Sequence, residues 1–138
     1  MGVMKDFVRK ASLNVMGFMY FFAGLYHVNR IDYFMRIMPA FMPQPRTMVI
    51  AGGIVQLLFA ALLIPRPSRR WTCFAIMAFW ALSLPISAYI LYLGGAGIPL
   101  DPWILWSRIP FHLALIAWAF WNSKVPRIQL RTFPLNTF

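Results

Sequence analysis

Four long apolar segments constrain the fold of this chain more than any other feature of its sequence. An α-helix needs roughly 20 residues to cross the hydrocarbon core of a bilayer, and each segment is close to that length. The connectors between the segments are too short to hold a separate domain. The sequence therefore predicts an all-α fold, a four-transmembrane-helix bundle forming a single membrane domain over residues 1–138, with a C-terminal tail at 123–138. The predicted spans cover residues 11–29, 46–64, 71–93 and 104–122.

Composition agrees with a membrane protein. Hydrophobic residues make up 61% of the 138 residues and charged residues only 12%, whereas roughly a quarter of a soluble domain is charged. The net charge of +10 comes from basic residues near the ends of the apolar segments. Phospholipid head groups would meet them there, so the expected partner is the lipid bilayer and not nucleic acid. The single cysteine, Cys73, cannot form an internal disulfide or a Cys-rich metal site, and we expect it to pack in the apolar interior.

The distribution of Lys and Arg predicts the orientation. Short loops on the cytoplasmic side of a membrane carry an excess of these residues. The richer side would hold both termini, so both are expected in the cytoplasm of a bacterial inner membrane or in the matrix of a mitochondrial one. The richer side has nine of these residues and the outer side four: Lys5, Arg9, Lys10, Arg66, Arg69, Arg70, Lys124, Arg127 and Arg131, against Arg30, Arg36, Arg46 and Arg108.

The connector after the first span has the pattern of an interfacial helix. Phe34, Ile37, Met38 and Phe41 recur at i, i+3, i+4 and i+7, which places them on one side of a helix. Pro39 would stop that helix, because proline has no backbone N–H and restricts the residue before it. We therefore predict a short helix over residues 31–38 that lies on the outer surface and covers the bundle.

Five polar residues lie within the predicted spans, in the outer half or near the midplane. Arg108 and His112 are four residues apart and therefore share one face of the fourth helix. Because unpaired polar groups are costly in hydrocarbon, all five are expected to converge on the interior of the bundle. Two interpretations remain open: the residues form interhelical hydrogen bonds, or they line a ligand pocket. The five candidate ligand-binding residues are His27, Gln56, Ser87, Arg108 and His112.

Asp101 and Asp32 are the carboxylates on the outer side that are available to pair with Arg108. The sequence has no glutamate, and its three aspartates lie outside the spans, which argues against a proton relay or a cation-coupled transporter. No residues are predicted to be catalytic, and no metal site or covalent cofactor motif is recognised. Gly52 and Gly53 indicate a close contact between helices.

Six short motifs follow one another along the chain: FMRIMP at 34–39, PxP at 43–45, AGGIVQ at 51–56, LLIPRPSRR at 62–70, LPIS at 84–87 and WSRIPFH at 106–112. Their order and spacing resemble those of the DoxX family of small four-helix membrane proteins, and His27, Pro39, Pro85, Arg108 and Pro110 fit the family's pattern. The resemblance covers about residues 17–122. It implies a membrane protein near quinone-linked electron transfer, because that family includes a subunit of a thiosulfate:quinone oxidoreductase.

The chain departs from the family at three candidate residues. The family usually has glutamate where Gln56 stands, asparagine where Ser87 stands and glutamine where His112 stands. Glutamine cannot ionise, so chemistry that needs a carboxylate is not expected here. The favoured prediction is a non-catalytic accessory or assembly subunit of a quinone-linked respiratory or other membrane redox complex, whose partners are other membrane subunits. The alternative is a subunit that binds a quinone or a lipid in the polar outer half.

Overall fold

The computed structural model describes residues 2–94 and 101–124, and 83% of them are helical with no β-strand among them. The all-α prediction is confirmed. Residues 95–100 of the predicted outer loop and residues 125–138 of the predicted tail, with Arg127 and Arg131, lie outside the described residues. The helices are α1 (Gly2–Asn29), α2 (Ile31–Met35), α3 (Pro45–Leu62), α4 (Arg69–Tyr92) and α5 (Pro102–Ser123).

Three of these helices, α3, α4 and α5, are long and apolar enough to cross a membrane, with mean hydropathies of 1.5, 1.9 and 1.3 over the best window. They coincide with three of the four predicted spans. Although α1 is the longest helix at 28 residues, it is not one of the three. Its apolar residues are interrupted by polar ones such as Asn14 and His27, and it begins with several basic residues. The fourth span therefore stays a prediction.

The long helices form two closely packed pairs, α1 with α3 and α4 with α5. Glycine makes the first pair possible. A Cβ atom on Gly24 would lie 2.8 Å from the carbonyl oxygen of Gly53, and one on Gly53 would lie 3.0 Å from the Cβ of His27. The backbones of α1 and α3 therefore touch here, as small residues allow. Gly53 makes the predicted close contact, but Gly52 does not, since a Cβ atom there would meet nothing within 4 Å.

The bundle has two distinct ends. The start of α1 lies beside the end of α3, the start of α4 and the end of α5, and we call this the N-terminal end. The opposite end carries His27, α2 and Arg108, and we call it the lid end. A buried apolar cluster from all four long helices fills the N-terminal half, and fully buried Cys73 belongs to it, in agreement with its predicted packing role. The cluster contains Leu13, Met16, Tyr20, Phe59, Ala60, Leu63, Cys73, Ile76 and Ala119.

The turn between α3 and α4 is fastened by side chains of the residues that begin α4. The last carbonyls of a helix have no partner within it and must find one elsewhere. Here the Ser68 hydroxyl donates to the carbonyls of Leu62 and Pro65. Arg69 donates to the carbonyls of Leu63 and Ile64, at 2.8 and 2.9 Å. The two helix pairs are therefore joined by an ordered turn at the N-terminal end.

Helix α2 is shorter than predicted. It ends at Met35 rather than at residue 38, and Ile37 and Met38 continue as tight turns whose N–H groups donate to carbonyls three residues back. Pro39 contributes to this early end, because it has no N–H to donate to the carbonyl of Met35 and it disfavours the helical conformation of Met38 before it. The predicted inner side is mostly correct, because Phe34, Ile37 and Met38 are half-buried. Phe41 is the exception at 56% exposed.

Candidate ligand-binding site at the lid end

Two of the predicted site residues meet directly. Ser87 of α4 and His112 of α5 are both buried, and the Ser87 hydroxyl lies 3.5 Å from Nδ1 of His112. That distance is the outer limit of a hydrogen bond, so the contact is weak. The close packing of α4 on α5 brings the two residues together from positions 25 residues apart in the chain.

Trp80 and Tyr20 extend this contact into a row that crosses between the helix pairs. The Trp80 ring lies against the His112 ring, with centroids 4.7 Å apart. Its indole Nε1 donates to the hydroxyl of buried Tyr20 at 2.7 Å, and the Tyr20 ring packs edge-on against Phe59 of α3. The row therefore connects α5 and α4 to α1 and α3.

Tyr20 and Trp80 were not among the residues predicted from the sequence to form the site, although a signal was present. Tyrosine and tryptophan are enriched where a helix meets the membrane surface. Trp80 stands near the middle of the predicted third span, and Tyr20 near the middle of the first. When such a residue is buried in mid-span, its N–H or O–H group usually has a hydrogen-bond partner. A search for paired mid-span aromatic residues would have found these two.

Gln56 of α3 is buried and incompletely satisfied. It is only 2% exposed, and its Oε1 atom has no hydrogen-bond partner in the part of the chain that the structure describes. It lies one helical turn beyond Gly53, where α1 and α3 touch. Residues three apart on a helix have Cβ atoms about 5–6 Å apart, so Gln56 is held close to this backbone contact and not on the surface that faces away from it.

Arg108 of α5 is half-buried, and its Nη1 atom is buried with no partner among the described residues. We expected Asp32 or Asp101 to pair with it. No hydrogen bond joins Nη1 to either carboxylate. Asp32 and Asp101 are both exposed. The guanidinium group therefore has unused N–H donors on its buried Nη1 atom.

His27 is held by the lid and not by the other candidate residues. Its ring stacks on Phe34 of α2, with centroids 3.7 Å apart and an angle of 17° between the rings. Its Nδ1 lies 3.0 Å from the carbonyl oxygen of Ala23. Because a carbonyl only accepts, Nδ1 carries the proton in this arrangement, and a neutral ring presents Nε2 as an acceptor. The structure thus brings Ser87 and His112 together, while His27 connects α1 to α2.

Among the described residues, the lid end therefore offers one unsatisfied donor, on Arg108, and one unsatisfied acceptor, on Gln56. His112 of the row described above lies one helical turn from Arg108, and Phe59, which packs against Tyr20, lies one turn from Gln56. This set suits an uncharged molecule with carbonyl or hydroxyl oxygens. Within residues 2–94 and 101–124, no group of three or more His, Cys, Asp or Glu side chains is placed to hold a metal ion.

A family model matches residues 16–123 of this chain, and its description is Domain of unknown function (DUF8561). The chain belongs to this family. The match takes in all five candidate residues, together with Tyr20 and Trp80, but not the first part of α1. No curated protein and no solved structure matches the chain. The family description assigns no activity, and the resemblance to the DoxX family stays a prediction.

Proposed function

We propose that this chain is a four-span membrane protein that binds a quinone-like, lipid-soluble molecule between its two helix pairs at the lid end. The observation that carries the proposal is a pair of buried atoms that have no partner among residues 2–94 and 101–124, Oε1 of Gln56 and Nη1 of Arg108. Leaving a buried polar group unpaired costs about 1–3 kcal/mol, and more for a charged one. A ligand carbonyl accepting from Arg108 and a ligand hydroxyl donating to Gln56 would remove this cost.

The lipid-soluble character of the ligand follows from its surroundings. The site lies within helices that are apolar enough to cross a membrane, and aromatic rings line its inner side. A quinone combines a flat apolar ring with two oxygens and exchanges between carbonyl and hydroxyl forms. Ligand sites of this kind are mostly apolar with a few placed polar groups. The chain itself would bind and orient the molecule, and the electrons would come from another protein.

The fourth span of the proposal is α1. It lies antiparallel to α3 from Gly17, beside Ala60, to Gly24, beside Gly53. A helix packed along a membrane span shares its environment. At 1.5 Å per residue, the 28 residues of α1 extend for about 42 Å, which exceeds the roughly 30 Å of hydrocarbon.

Cysteine labelling tests this topology in a Cys73→Ser background. Single cysteines at Lys5, Arg36 and Arg66, all exposed positions, are treated in intact cells with a reagent that cannot cross the membrane. We expect reaction at position 36 and none at positions 5 and 66. If position 5 reacts together with position 36, α1 does not cross and the four-span proposal is wrong.

A second candidate function is the non-catalytic accessory subunit of a quinone-linked membrane redox complex. It is favoured by the sequence, which has no glutamate and a single cysteine, and by the fully buried position of that cysteine. A bound quinone would then need an electron donor or acceptor in a neighbouring subunit. Purification in mild detergent tests this idea, since it requires companions in fixed ratio. If the chain is recovered without companions from membranes in which the quinone is reduced and oxidised, the accessory-subunit function is excluded.

Quinone retention tests the site itself. The protein is purified in mild detergent, and extracted quinone is measured by chromatography for the parent, Gln56→Leu, Arg108→Met and Arg108→Lys. Arg36→Met is the matched control, because Arg36 is an exposed arginine at the same end. We expect the parent and the control to retain quinone, and the three site variants to lose at least tenfold, or about 1.4 kcal/mol. Equal retention in all five proteins, each shown to be folded by gel filtration, would rule out the site.

A further inference from the structure

We propose that the junction of α1 and α5 at the N-terminal end binds the head group of a phosphatidylglycerol-type phospholipid, with Arg9 holding the phosphate and Asn122 accepting from a glycerol hydroxyl. The inference requires that the helices cross a membrane, as proposed above. It does not depend on the ligand at the lid end, which lies at the other end of the same helices.

Hydrogen bonds fix the geometry of this junction. The hydroxyl oxygen of Ser12 on α1 accepts from Nε1 of Trp118 at 2.7 Å and from Nδ2 of Asn122 at 3.1 Å. Arg9, one turn before Ser12, donates from Nη1 to the carbonyl of Lys124 at 2.7 Å. Its guanidinium carbon also lies 5.6 Å from the centre of the Trp121 ring. Arg9 and Asn122 are therefore held in place by contacts that do not use all of their polar atoms.

Each of these two side chains has a buried atom without a partner. Asn122 is 0% exposed, and within residues 2–94 and 101–124 neither its Oδ1 atom nor the Nε atom of Arg9 has a hydrogen-bond partner. The amide orientation is not ambiguous. Nδ2 lies 3.2 Å from the carbonyl oxygen of Trp118, which only an N–H group can satisfy. The junction thus presents one unused acceptor, on Asn122, and one unused cationic donor, on Arg9.

The surrounding charge favours an anion. Lys5 and Lys10 are exposed on α1, and the Lys124 ammonium lies 4.5 Å from the Phe120 ring centre. Asp6 is the acidic residue on this part of α1, and it is also exposed. Basic clusters beside a membrane helix attract anionic lipids, and the Trp118 and Trp121 rings suit the depth of head groups.

The two unused atoms distinguish between head groups. Arg9 can donate to the phosphate oxygen of any phospholipid. Asn122 needs an O–H or N–H group a few atoms away, which a glycerol head group has and a choline head group lacks. We therefore expect phosphatidylglycerol to bind and phosphatidylcholine not to bind. Inorganic phosphate is an anion without a glycerol group or acyl chains. Comparing its binding with that of the lipid therefore distinguishes a head-group site from a simple anion site.

The experiment begins with the unmodified protein in detergent. Its melting temperature is followed by tryptophan fluorescence, and retained lipid by native mass spectrometry, after addition of phosphatidylglycerol, phosphatidylcholine or sodium phosphate. We expect a higher melting temperature and retained lipid with phosphatidylglycerol alone. Equal effects of the two lipids, or the same stabilisation by sodium phosphate, would overturn the proposal, and neither result depends on the folding of a variant.

Variants then locate the site. Arg9→Gln removes the guanidinium, and Arg9→Lys keeps the charge but removes Nε, so both should retain at least fivefold less phosphatidylglycerol. Arg70→Gln is the matched control, because Arg70 is an exposed arginine at the same end whose guanidinium lies 5.7 Å from the Phe74 ring centre. The control should bind like the parent. If Arg70→Gln loses as much lipid as Arg9→Gln, the binding is a general charge effect and the site is wrong.

Discussion

The N-terminal end and the lid end of this bundle differ in how far their polar side chains are paired. At the N-terminal end, Ser12 accepts two hydrogen bonds from α5, and Ser68 and Arg69 fasten the turn between α3 and α4. At the lid end, Phe41 of the connector between α2 and α3 packs edge-on against Tyr89 of α4, with ring centres 4.9 Å apart. Hydrogen bonds thus dominate the contacts at the N-terminal end and aromatic packing those at the lid end, while the hydrogen bond from Trp80 to Tyr20 joins the two pairs in mid-span.

The difference indicates where function and stability reside. A buried polar group without a hydrogen-bond partner lowers the stability of the folded state, and such groups are commonly found at functional sites. Gln56 and Arg108 at the lid end make no side-chain hydrogen bond to other described residues, whereas Arg9 and Asn122 at the N-terminal end each make at least one. The N-terminal end therefore specifies how the helices assemble, and the lid end is the better candidate for binding a ligand within the bundle.

The largest effect is expected from Gly24→Ala, which disturbs the packing beneath the lid. The new Cβ would lie 2.8 Å from the Gly53 carbonyl oxygen and 2.9 Å from the Leu57 nitrogen, both backbone atoms that cannot simply rotate away. We expect a loss of about 2–3 kcal/mol in the free energy of unfolding, at the upper end for overpacking. Denaturant titration in detergent micelles measures it.

Gly52→Ala is the matched control, since its Cβ would meet nothing within 4 Å. It should be neutral or stabilising by up to about 1 kcal/mol, because alanine favours a helix over glycine. If the two variants are equally stable, the close contact between α1 and α3 does not support the lid end.

The next largest effect should come from Ser12→Ala at the N-terminal end. The change leaves the buried donors of Trp118 and Asn122 without their shared acceptor. We expect a loss of about 1–3 kcal/mol, measured by the same titration. Ser83→Ala serves as the control, because the Ser83 hydroxyl donates only to Phe79 in its own helix. Similar losses in both variants would mean that hydrogen bonds between the pairs do not hold this end.

A smaller effect is expected from Phe34→Asp, which removes the ring that stacks on His27. Aromatic pairs contribute about 0.5–1.5 kcal/mol beyond burial, so the yield of folded protein should fall and quinone retention should fall with it. Phe34→Leu keeps an apolar side chain and should show a weaker loss of both. If Phe34→Asp is as stable as the parent, α2 does not cover the site.

The smallest effect, and the one that most sharpens the comparison, is that of Gln56→Leu on the ligand-free protein. Replacing an unsatisfied buried amide with an apolar side chain of similar size removes a cost instead of a bond. We expect stability to be unchanged or to rise by less than about 1 kcal/mol, opposite in sign to Ser12→Ala. A loss as large as that of Ser12→Ala would show that Gln56 is already hydrogen-bonded, and the contrast between the two ends would fail.

The elements could be predicted closely because their signals are local. The predicted span 46–64 corresponds to Pro45–Leu62, and 104–122 corresponds to Pro102–Ser123, since proline begins each helix and the apolar run sets its length. The lid helix was predicted three residues too long. Its amphipathic pattern continues to Phe41, but the missing N–H of Pro39 ends the helix earlier.

The sequence by itself determined which segments are apolar, the approximate limits of α3, α4 and α5, and that Ser87, Arg108 and His112 lie within apolar helices. Only the tertiary structure decided which of these groups have partners. Tyr20 and Trp80 are 60 residues apart and form a 2.7 Å hydrogen bond, while His27 turns to Phe34. Helix formation depends on neighbours along the chain, but hydrogen-bond satisfaction depends on which faces of separate helices meet. Which faces meet is set by packing details such as the direct contact between the backbones of Gly24 and Gly53, which have no side chains to separate them.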